Sequence, residues 1–312
     1  MKAEASLADR QYVLKESVFD SLRASKWLFA VVFVAPALIF LTLVVVIPML
    51  YSFYLSFTNF NLVLKINKEF VGLDNYVALL SDSTFLLSLL RTIVFMTLAV
   101  NLELLLGLLV AQLLAKPMKG EGFLRTALMV PMMMPPILIG FQFKWFFNDQ
   151  VGLVNNLIYA VTGQTTQIPW LIDAVLGFIS ILTAEIWMGT PFIAIILLAG
   201  MLSLPKEPFE AADIDGATRF QKFYYITRPL LAPYMLIALA IRSLDISKAY
   251  DLVKIMTGGG PAQRTELIWT YVTRLSMVDS KFALGCAMSF VSVAISFVFT
   301  VYIYKQLVAA RR

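Results

Sequence analysis

Between two long apolar segments lies the charged, helix-prone stretch PKEPFEAADIDGA, residues 205–217. The chain continues from it into TRFQKFYYITRP, residues 218–229, which is basic and aromatic. Charged residues of this density belong in water, whereas the apolar segments on either side are each long enough to cross a bilayer. The stretch therefore predicts a connection on the wet side of a membrane protein, and it organises the rest of the chain.

The same stretch carries the signals that begin and end short helices. Pro208 suits a first helical turn, and Gly216 breaks the helix that follows. Thr218 and Gln221 stand three residues apart, which is a capping-box pattern for a second helix. We predict a helix–Gly–helix elbow within residues 205–229 that docks into a groove of a partner. A helix that only lies on the membrane surface would fit the same pattern.

Composition places the whole chain in a membrane. It has 312 residues, of which 60% are hydrophobic and 14% are charged, and its mean hydropathy is +0.80. A soluble domain has about 25% charged residues. The apolar runs are continuous rather than alternating, as expected for helices and not for a β-barrel. The sequence therefore predicts an all-α, polytopic membrane protein.

Six apolar runs reach the ~20 residues that a helix needs to cross the hydrocarbon core. The predicted spans are residues 27–47, 89–114, 123–147, 174–202, 230–256 and 282–304. The membrane domain then covers residues 27–308, with tails at 1–26 and 309–312 and the elbow inside a loop at 203–229. The first run lacks the cleavage site of a signal peptide, so we expect it to be retained as a span.

The distribution of basic residues predicts the orientation. Of the lysines and arginines at the loops and tails, fifteen lie on the side of the elbow and five lie on the other side. Cytoplasmic segments carry the excess of positive charge. We therefore expect the elbow and both termini in the cytoplasm.

One span and one loop carry further local signals. Pro131, Pro135 and Pro136 free backbone carbonyls in the third span and predict a kink, which either serves packing or leaves room for a pathway. Apolar residues three to four apart after Asp74 predict a short amphipathic helix. Asp82 or the serine after it can cap the span that follows.

Several classes of function lack the residues that they require. The sequence has no histidine and one cysteine, Cys286, so it offers neither a histidine-based metal site nor a disulfide within the chain. It contains no GxxxxGK(S/T) motif and no GxSxG motif. Its basic residues are scattered between apolar runs, which argues against nucleic acid as a partner. We predict no catalytic residues, no metal and no cofactor bound by this chain.

Ionisable residues inside the spans point to function, because a charge in mid-bilayer is costly. Glu103 lies in the second span, Glu185 lies in the fourth, and the fifth carries Arg242 and Asp245 three residues apart. A Lys–Asp pair with the same spacing follows six residues later. Such pairs either neutralise each other along a helix or line a polar cavity between the fourth and fifth spans. The sequence leaves both interpretations open.

One face of the fourth span suits a sugar. Glu185, Gly189 and Phe192 recur there at helical spacing, with Met188 beside them. A carboxylate accepts hydrogen bonds from hydroxyl groups, and rings stack on the apolar face of a sugar. The same residues also fit a helix that only packs, since glycine permits close helix approach.

The elbow closely resembles the signature of the inner-membrane permease subunits of binding-protein-dependent ABC importers. That signature is Glu-Ala-Ala, three residues and Gly, and it stands here as residues 210–216. Three further stretches resemble the carbohydrate branch, of the maltose and glycerol-phosphate permease type: GLDNY at 72–76, GLVNN at 152–156 and TGGGP at 257–261. The resemblance extends from about residue 27 to the C-terminus.

This resemblance implies a MetI/MalF-like permease fold, with six transmembrane helices and a cytoplasmic coupling helix, in a bacterial inner membrane. The implied partners are a second homologous permease subunit, two ABC ATPase subunits that bind ATP and Mg²⁺, and an extracytoplasmic solute-binding protein. The residues that would couple this chain to an ATPase are Glu207, Glu210, Ala211, Ala212, Asp215, Gly216 and Arg219. The chain itself would not be an enzyme.

By the same resemblance, the substrate contacts of the maltose-type permease fall on the fourth and fifth spans. The implied positions are Glu185, Met188, Gly189, Phe192, Arg242, Ile246 and Ala249, to which we add Asp245 as a neighbouring polar residue. Glu185 and Arg242 are charged where the maltose permease has an amide and a hydroxyl, and Ile246 and Ala249 replace amides. The fifth-span side of the site is therefore not maltose-like.

The sequence predicts a permease subunit that forms half of an ATP-driven, alternating-access pathway for a sugar, sugar alcohol or short oligosaccharide. Arg242 and Lys248 keep open an anionic solute such as glycerol phosphate, a sugar phosphate or a sulfonate, whereas Glu185 and Asp245 favour a neutral polyol. An ion-coupled secondary transporter, with Glu103 and Asp245 relaying ions, is the alternative from another class. A purely structural membrane subunit would leave the polar face of the fourth span unused.

Overall fold

The computed structural model describes residues 26–63, 68–165 and 167–309. The two predicted tails lie almost wholly outside these residues. The described chain is helical, with one isolated β-bridge between Thr58 and Phe70. Its helices are α1 Lys26–Leu41, α2 Ile47–Leu55, α3 Asp74–Ser81, α4 Ser83–Leu114, α5 Glu121–Met133, α6 Pro136–Phe146, α7 Leu153–Thr162, α8 Ala174–Leu202, α9 Glu207–Ile214, α10 Arg219–Lys222, α11 Arg228–Ile246, α12 Asp251–Met256, α13 Ile268–Thr273 and α14 Phe282–Ala309. Segments of π-helix extend three of them, at Thr42–Val46, Phe223–Thr227 and Arg274–Val278.

Among the described residues, five helical segments are long and apolar enough to cross a membrane. They are Ala30–Leu55, Ser83–Leu114, Ala174–Leu202, Arg219–Ile246 and Phe282–Tyr302. A sixth span results if α5 and α6 are counted together, although they meet at an angle of 94°. The all-α, polytopic prediction is confirmed, with the third span broken in two.

The break between α5 and α6 has a local cause. Met134 leaves the helical region, with φ −82° and ψ 137°, and Pro135 follows in an extended conformation. A proline ring disfavours the helical conformation of the residue before it, so the double proline stops α5 and restarts the chain as α6 at Pro136. The predicted kink is therefore a sharp corner, which brings the first turn of α6 towards the centre of the molecule.

The fifth span differs from its prediction at both ends. It runs from Arg219 to Ile246 rather than over residues 230–256, and residues 251–256 form the separate helix α12. Near the break, Ser243 donates to the carbonyl of Ala240 at 3.0 Å and Ser247 donates to that of Leu244 at 2.7 Å. Such bonds compete with the helical ladder. The turn that follows carries residues 247–250 away from the helix axis.

Side-chain hydrogen bonds hold the helices and helix ends in the loops. The helix predicted after Asp74 is present as α3, and Asp82 caps α4 by accepting a hydrogen bond from the Thr84 amide at 2.9 Å. Helix α7 is tied to its loop by Asn155, whose side chain donates to the carbonyls of Asp149 at 2.9 Å and Ile168 at 3.2 Å. These contacts fix the connection between α6 and α8.

The core lies around α8. Of the most apolar window of Ala174–Leu202, 56% is buried, whereas none of the corresponding window of Ala30–Leu55 is. Helix α8 packs along α4, and α11 packs against both of them. The three central spans α4, α8 and α11 therefore position any site inside the fold. Most apolar side chains of α1 and α2 are exposed, so they are free to contact groups outside the chain.

Candidate functional site

A buried charge network joins the three central spans. Arg242 of α11 donates to Glu103 of α4 twice, from Nε to Oε2 at 2.8 Å and from Nη2 to Oε1 at 2.7 Å. Its Nη2 also donates to Oε1 of Glu185 on α8 at 2.8 Å. The side chains of Arg242, Glu103 and Glu185 are 7%, 0% and 5% exposed. Charges this deep are tolerated only when paired, so the network ties α4, α8 and α11 to one another.

Gly189 provides the space for this network. A Cβ atom on Gly189 would lie 2.5 Å from Cδ of Glu103 and would overlap Nη2 of Arg242. The glycine on the face predicted to touch a sugar therefore lets the guanidinium and the carboxylate meet beside the α8 backbone. Its neighbour one turn earlier, Glu185, points into the same region.

A cavity of about 190 Å³ lies beside the network. Of the predicted substrate residues, Glu185, Met188, Arg242, Asp245 and Ala249 line it. The break after α11 adds Lys248, Tyr250 and Asp251 to its wall, and the corner between α5 and α6 adds Pro136. Charged, aromatic and apolar side chains from α6, α8, α11, α12 and the turn between the last two therefore line the cavity.

Three predicted substrate residues do not line the cavity: Gly189 lies at the charge network, and Phe192 and Ile246 lie in apolar packing. Phe192 packs against the apolar cluster that includes Ile193, Leu197 and Ala238, and it does not line the cavity. Ile246 is almost fully buried in the main core. Both are apolar side chains on the packed side of their helices; helical spacing groups Phe192 with the polar face, and the family resemblance adds Ile246.

The sequence prediction did not place Glu103 in the site. Its only signal is an acid inside an apolar span, and 139 residues separate it from Arg242. The predicted pairing of Arg242 with Asp245 is the weaker contact, at 3.5 Å between Nη1 and Oδ2, and the Asp245 side chain is 61% exposed. Among the described residues, no group of three or more His, Cys, Asp or Glu side chains could hold a metal ion.

The elbow has the predicted form. Helix α9 ends at Ile214, Gly216 has a φ of 72°, and α10 begins after Thr218. The capping box is confirmed. The Thr218 hydroxyl accepts a hydrogen bond from the backbone N–H of Gln221 at 3.3 Å, and the side-chain oxygen of Gln221 accepts one from the backbone N–H of Thr218 at 2.7 Å. An ion pair between Lys222 and Asp213 ties the two short helices together.

The surface of the elbow is open. Of the predicted coupling residues, Glu207, Glu210, Ala211, Asp215, Gly216 and Arg219 are exposed, and Ala212 is half-buried. The sequence prediction omitted three exposed apolar side chains, Ile214, Phe220 and Tyr225. The elbow therefore exposes apolar side chains beside acidic ones.

A second Arg–Glu pair of the same geometry lies outside the spans. Arg274 donates to Glu266 from Nε and from Nη2, each at 3.0 Å. These hydrogen bonds favour the charged guanidinium and raise the pKa of Arg274 above its ordinary value. Nearby, burial and a hydrogen bond to the carboxylate of Asp82 raise the pKa of Tyr271. Neither group lines the cavity, so this pair is a natural control for the buried one.

The family described as "Binding-protein-dependent transport system inner membrane component" matches residues 103–312. The chain belongs to this family. It is therefore a multi-pass permease component of the inner membrane, and the ATPase of such a system is a separate subunit.

Curated relatives cover most of this permease. The trehalose/maltose transport system permease protein MalF of Thermococcus litoralis is 32% identical over 272 residues, which are 87% of this chain and 91% of the relative. The sulfoquinovosyl glycerol transport system permease protein SmoG of Agrobacterium fabrum is 31% identical over 284 residues, which are 91% of each chain.

Solved structures agree on the fold. A chain of a bacterial alginate ABC transporter, crystallised in complex with an alginate pentasaccharide-bound periplasmic protein, matches with a TM-score of 0.76 at 19% identity. The match covers 91% of this permease and 94% of that chain. The predicted MetI/MalF-like permease fold is confirmed.

Proposed function

We propose that this permease forms half of the translocation pathway of an ATP-driven importer for a neutral sugar, sugar alcohol or short oligosaccharide. The observation that carries the proposal is the elbow, an exposed helix–Gly–helix connector on a chain whose sequence has no P-loop. A chain without its own nucleotide site needs a surface through which a separate motor moves it. Exposed Glu210, Ile214 and Phe220 supply acidic and apolar contacts for that motor.

The proposed assembly contains this chain, a second homologous permease subunit and two ATPase subunits, which bind the ATP and Mg²⁺. An extracytoplasmic solute-binding protein delivers the solute. Both termini and the elbow face the cytoplasm, because the excess of lysine and arginine lies on that side. Closure of the ATPases would push on residues 207–222 and move α8 and α11, which flank the elbow in the chain.

The cavity beside the charge network is the proposed solute site. Glu185 and Asp245 present carboxylate oxygens that accept hydrogen bonds from hydroxyl groups, and Lys248 can donate to them. Met188 and Tyr250 supply apolar and aromatic surface for the ring of a sugar. The names of relatives that carry trehalose and maltose support the same class of solute.

An anionic solute is the second candidate. It is favoured by Arg242 and Lys248 in the cavity wall and by a relative named for sulfoquinovosyl glycerol, a sulfonated compound. The two candidates differ in the sign of charge that the cavity must accept.

The test is uptake into proteoliposomes that contain the complete transporter and enclose ATP. Labelled trehalose, maltose, sorbitol and glycerol 3-phosphate are supplied with the binding protein outside. We expect ATP-dependent uptake of a neutral solute, and we expect Glu210→Lys to abolish it while the complex still inserts. Uptake that persists without ATP and collapses with ionophores would overturn the proposal, and uptake of glycerol 3-phosphate alone would favour the second candidate.

A further inference from the structure

The guanidinium of Arg242 has few hydrogen-bond donors left for a solute. Nε and both hydrogens of Nη2 are engaged by Glu103 and Glu185, at 2.7 to 2.8 Å. Only Nη1 faces other groups, and its contact with Asp245 is long, at 3.5 Å. A bidentate pair with a carboxylate holds the guanidinium in one plane, so Arg242 cannot turn towards the cavity without breaking two bonds.

The charges around the cavity do not balance. Arg242 is shared by two buried carboxyl groups, Glu103 and Glu185, so its positive charge is offset within the network. Asp245 and Asp251 line the cavity as well, and Lys248 is the only other cation among the residues of its wall. Acids therefore outnumber bases, and low-dielectric walls strengthen the resulting potential.

We propose that Glu103 is a positioning residue that sets the charge selectivity of the permease. By occupying Arg242 it leaves the cavity negative, so that a solute is held through its hydroxyl or ammonium hydrogens and an anionic solute is repelled. The inference rests on the proposed function, since it assumes that this cavity receives the solute. It narrows that function to neutral or cationic, hydroxyl-rich solutes such as polyols and amino sugars.

The packing around Glu103 supports a dedicated role. Gly189 leaves room for its carboxylate at the α8 backbone, and the side chain is wholly buried behind Arg242 rather than in the cavity wall. A residue placed there cannot touch the solute. It acts only through Arg242, by fixing its position and neutralising its charge.

The test measures the sign of the electrostatic potential in the cavity of the complete transporter in lipid nanodiscs. Cys286→Ala removes the one cysteine of this chain, and Ala249→Cys places a thiol in the cavity wall. The thiol reacts with a cationic or an anionic methanethiosulfonate reagent, and mass spectrometry of this chain follows each rate relative to a free thiol in solution. We expect the normalised rate of the cationic reagent to exceed that of the anionic one by on the order of tenfold.

The substitution Glu103→Gln should lower this ratio several-fold, because it removes the carboxyl group that offsets the charge of Arg242. Asp245→Asn, which changes an exposed side chain, should also lower the ratio of the two rates. It provides the same test if the buried Glu103→Gln variant does not fold. The matched control is Glu266→Gln, which makes the same change in the bidentate pair with Arg274 outside the cavity and should leave the ratio unchanged.

A faster anionic reagent in the unsubstituted cavity would overturn the inference, as would a ratio that neither Glu103→Gln nor Asp245→Asn alters. Failure of both reagents to react would also overturn it, because a solute site must admit small polar molecules. None of these outcomes depends on uptake. Loss of the proposed importer function would appear instead as absent ATP-driven transport with a normal reagent ratio.

Discussion

Gly189 faces the carboxyl group of Glu103 so closely that a Cβ atom on the glycine would lie 2.5 Å from Cδ of Glu103. The two residues belong to α8 and α4, the helices with the most extensive mutual packing in the fold. A side chain at residue 189 would have to displace a carboxylate that Arg242 holds by two hydrogen bonds. Close helix approach and the buried charge network therefore depend on the same glycine.

Gly189→Ala should destabilise the permease by about 1–3 kcal/mol, because the added methyl group overpacks a site that cannot relax without breaking ion pairs. Thermal unfolding of the purified complex, followed by the Tm, measures the loss. The control is Gly122→Ala in α5, where nothing lies within 4 Å of an added Cβ atom. That change should be neutral or slightly stabilising, and an equal loss at both positions would contradict the explanation.

Arg242→Gln should cost more than Glu103→Gln. Removing the guanidinium leaves two buried carboxylates without a counter-charge, a loss of about 3–5 kcal/mol, whereas removing one carboxylate leaves Arg242 paired with Glu185. The double variant should recover part of the loss of Arg242→Gln, and a double-mutant cycle on the Tm measures that coupling. Strictly additive single effects would show that the pair contributes no interaction energy.

The elbow could be predicted from the sequence almost residue by residue, whereas the charge network could not. The signals of the elbow are local: Thr218 and Gln221 cap a helix from three residues apart, and Gly216 suits the positive φ at its position. The contact between Glu103 and Arg242 spans 139 residues and depends on how α4 and α11 are rotated against α8. Apolar periodicity predicts which face of a helix is buried. It does not predict which buried acid pairs with which base on another helix.

The same distinction explains the fifth span. Hydropathy extends it through residue 256, because four of the six residues of α12 are apolar. In the structure the helix breaks after Ile246, close to Ser243 and Ser247, whose side chains bond back to carbonyls of the preceding turn. That break carries Lys248 and Ala249 into the cavity wall, so the boundary that the sequence missed is the one that shapes the candidate site.

Asn155→Ala should destabilise the loop between α6 and α8. The Asn155 side chain donates to two loop carbonyls and accepts from Nε1 of Trp170 at 2.8 Å, so its loss leaves buried polar groups unpaired at a cost of about 1–3 kcal/mol. The Tm and protease cleavage of residues 148–173 report the change. Asn156→Ala, at the exposed neighbour with one bond of 3.3 Å, is the control and should have little effect.

Gly216→Val should reduce ATP-driven uptake while the chain still inserts. Gly216 has a φ of 72° with nothing within 4 Å of an added Cβ atom. The free-energy cost of a valine, about 1–2 kcal/mol, therefore comes from backbone strain. Relief of that strain would change the angle between α9 and α10. Gly216→Asn should retain more uptake, because asparagine tolerates this conformation. Gly120→Val, with a φ of 80° and equally open space, carries the same strain outside the elbow. Equal loss of uptake at both glycines would refute a specific role of the elbow in coupling.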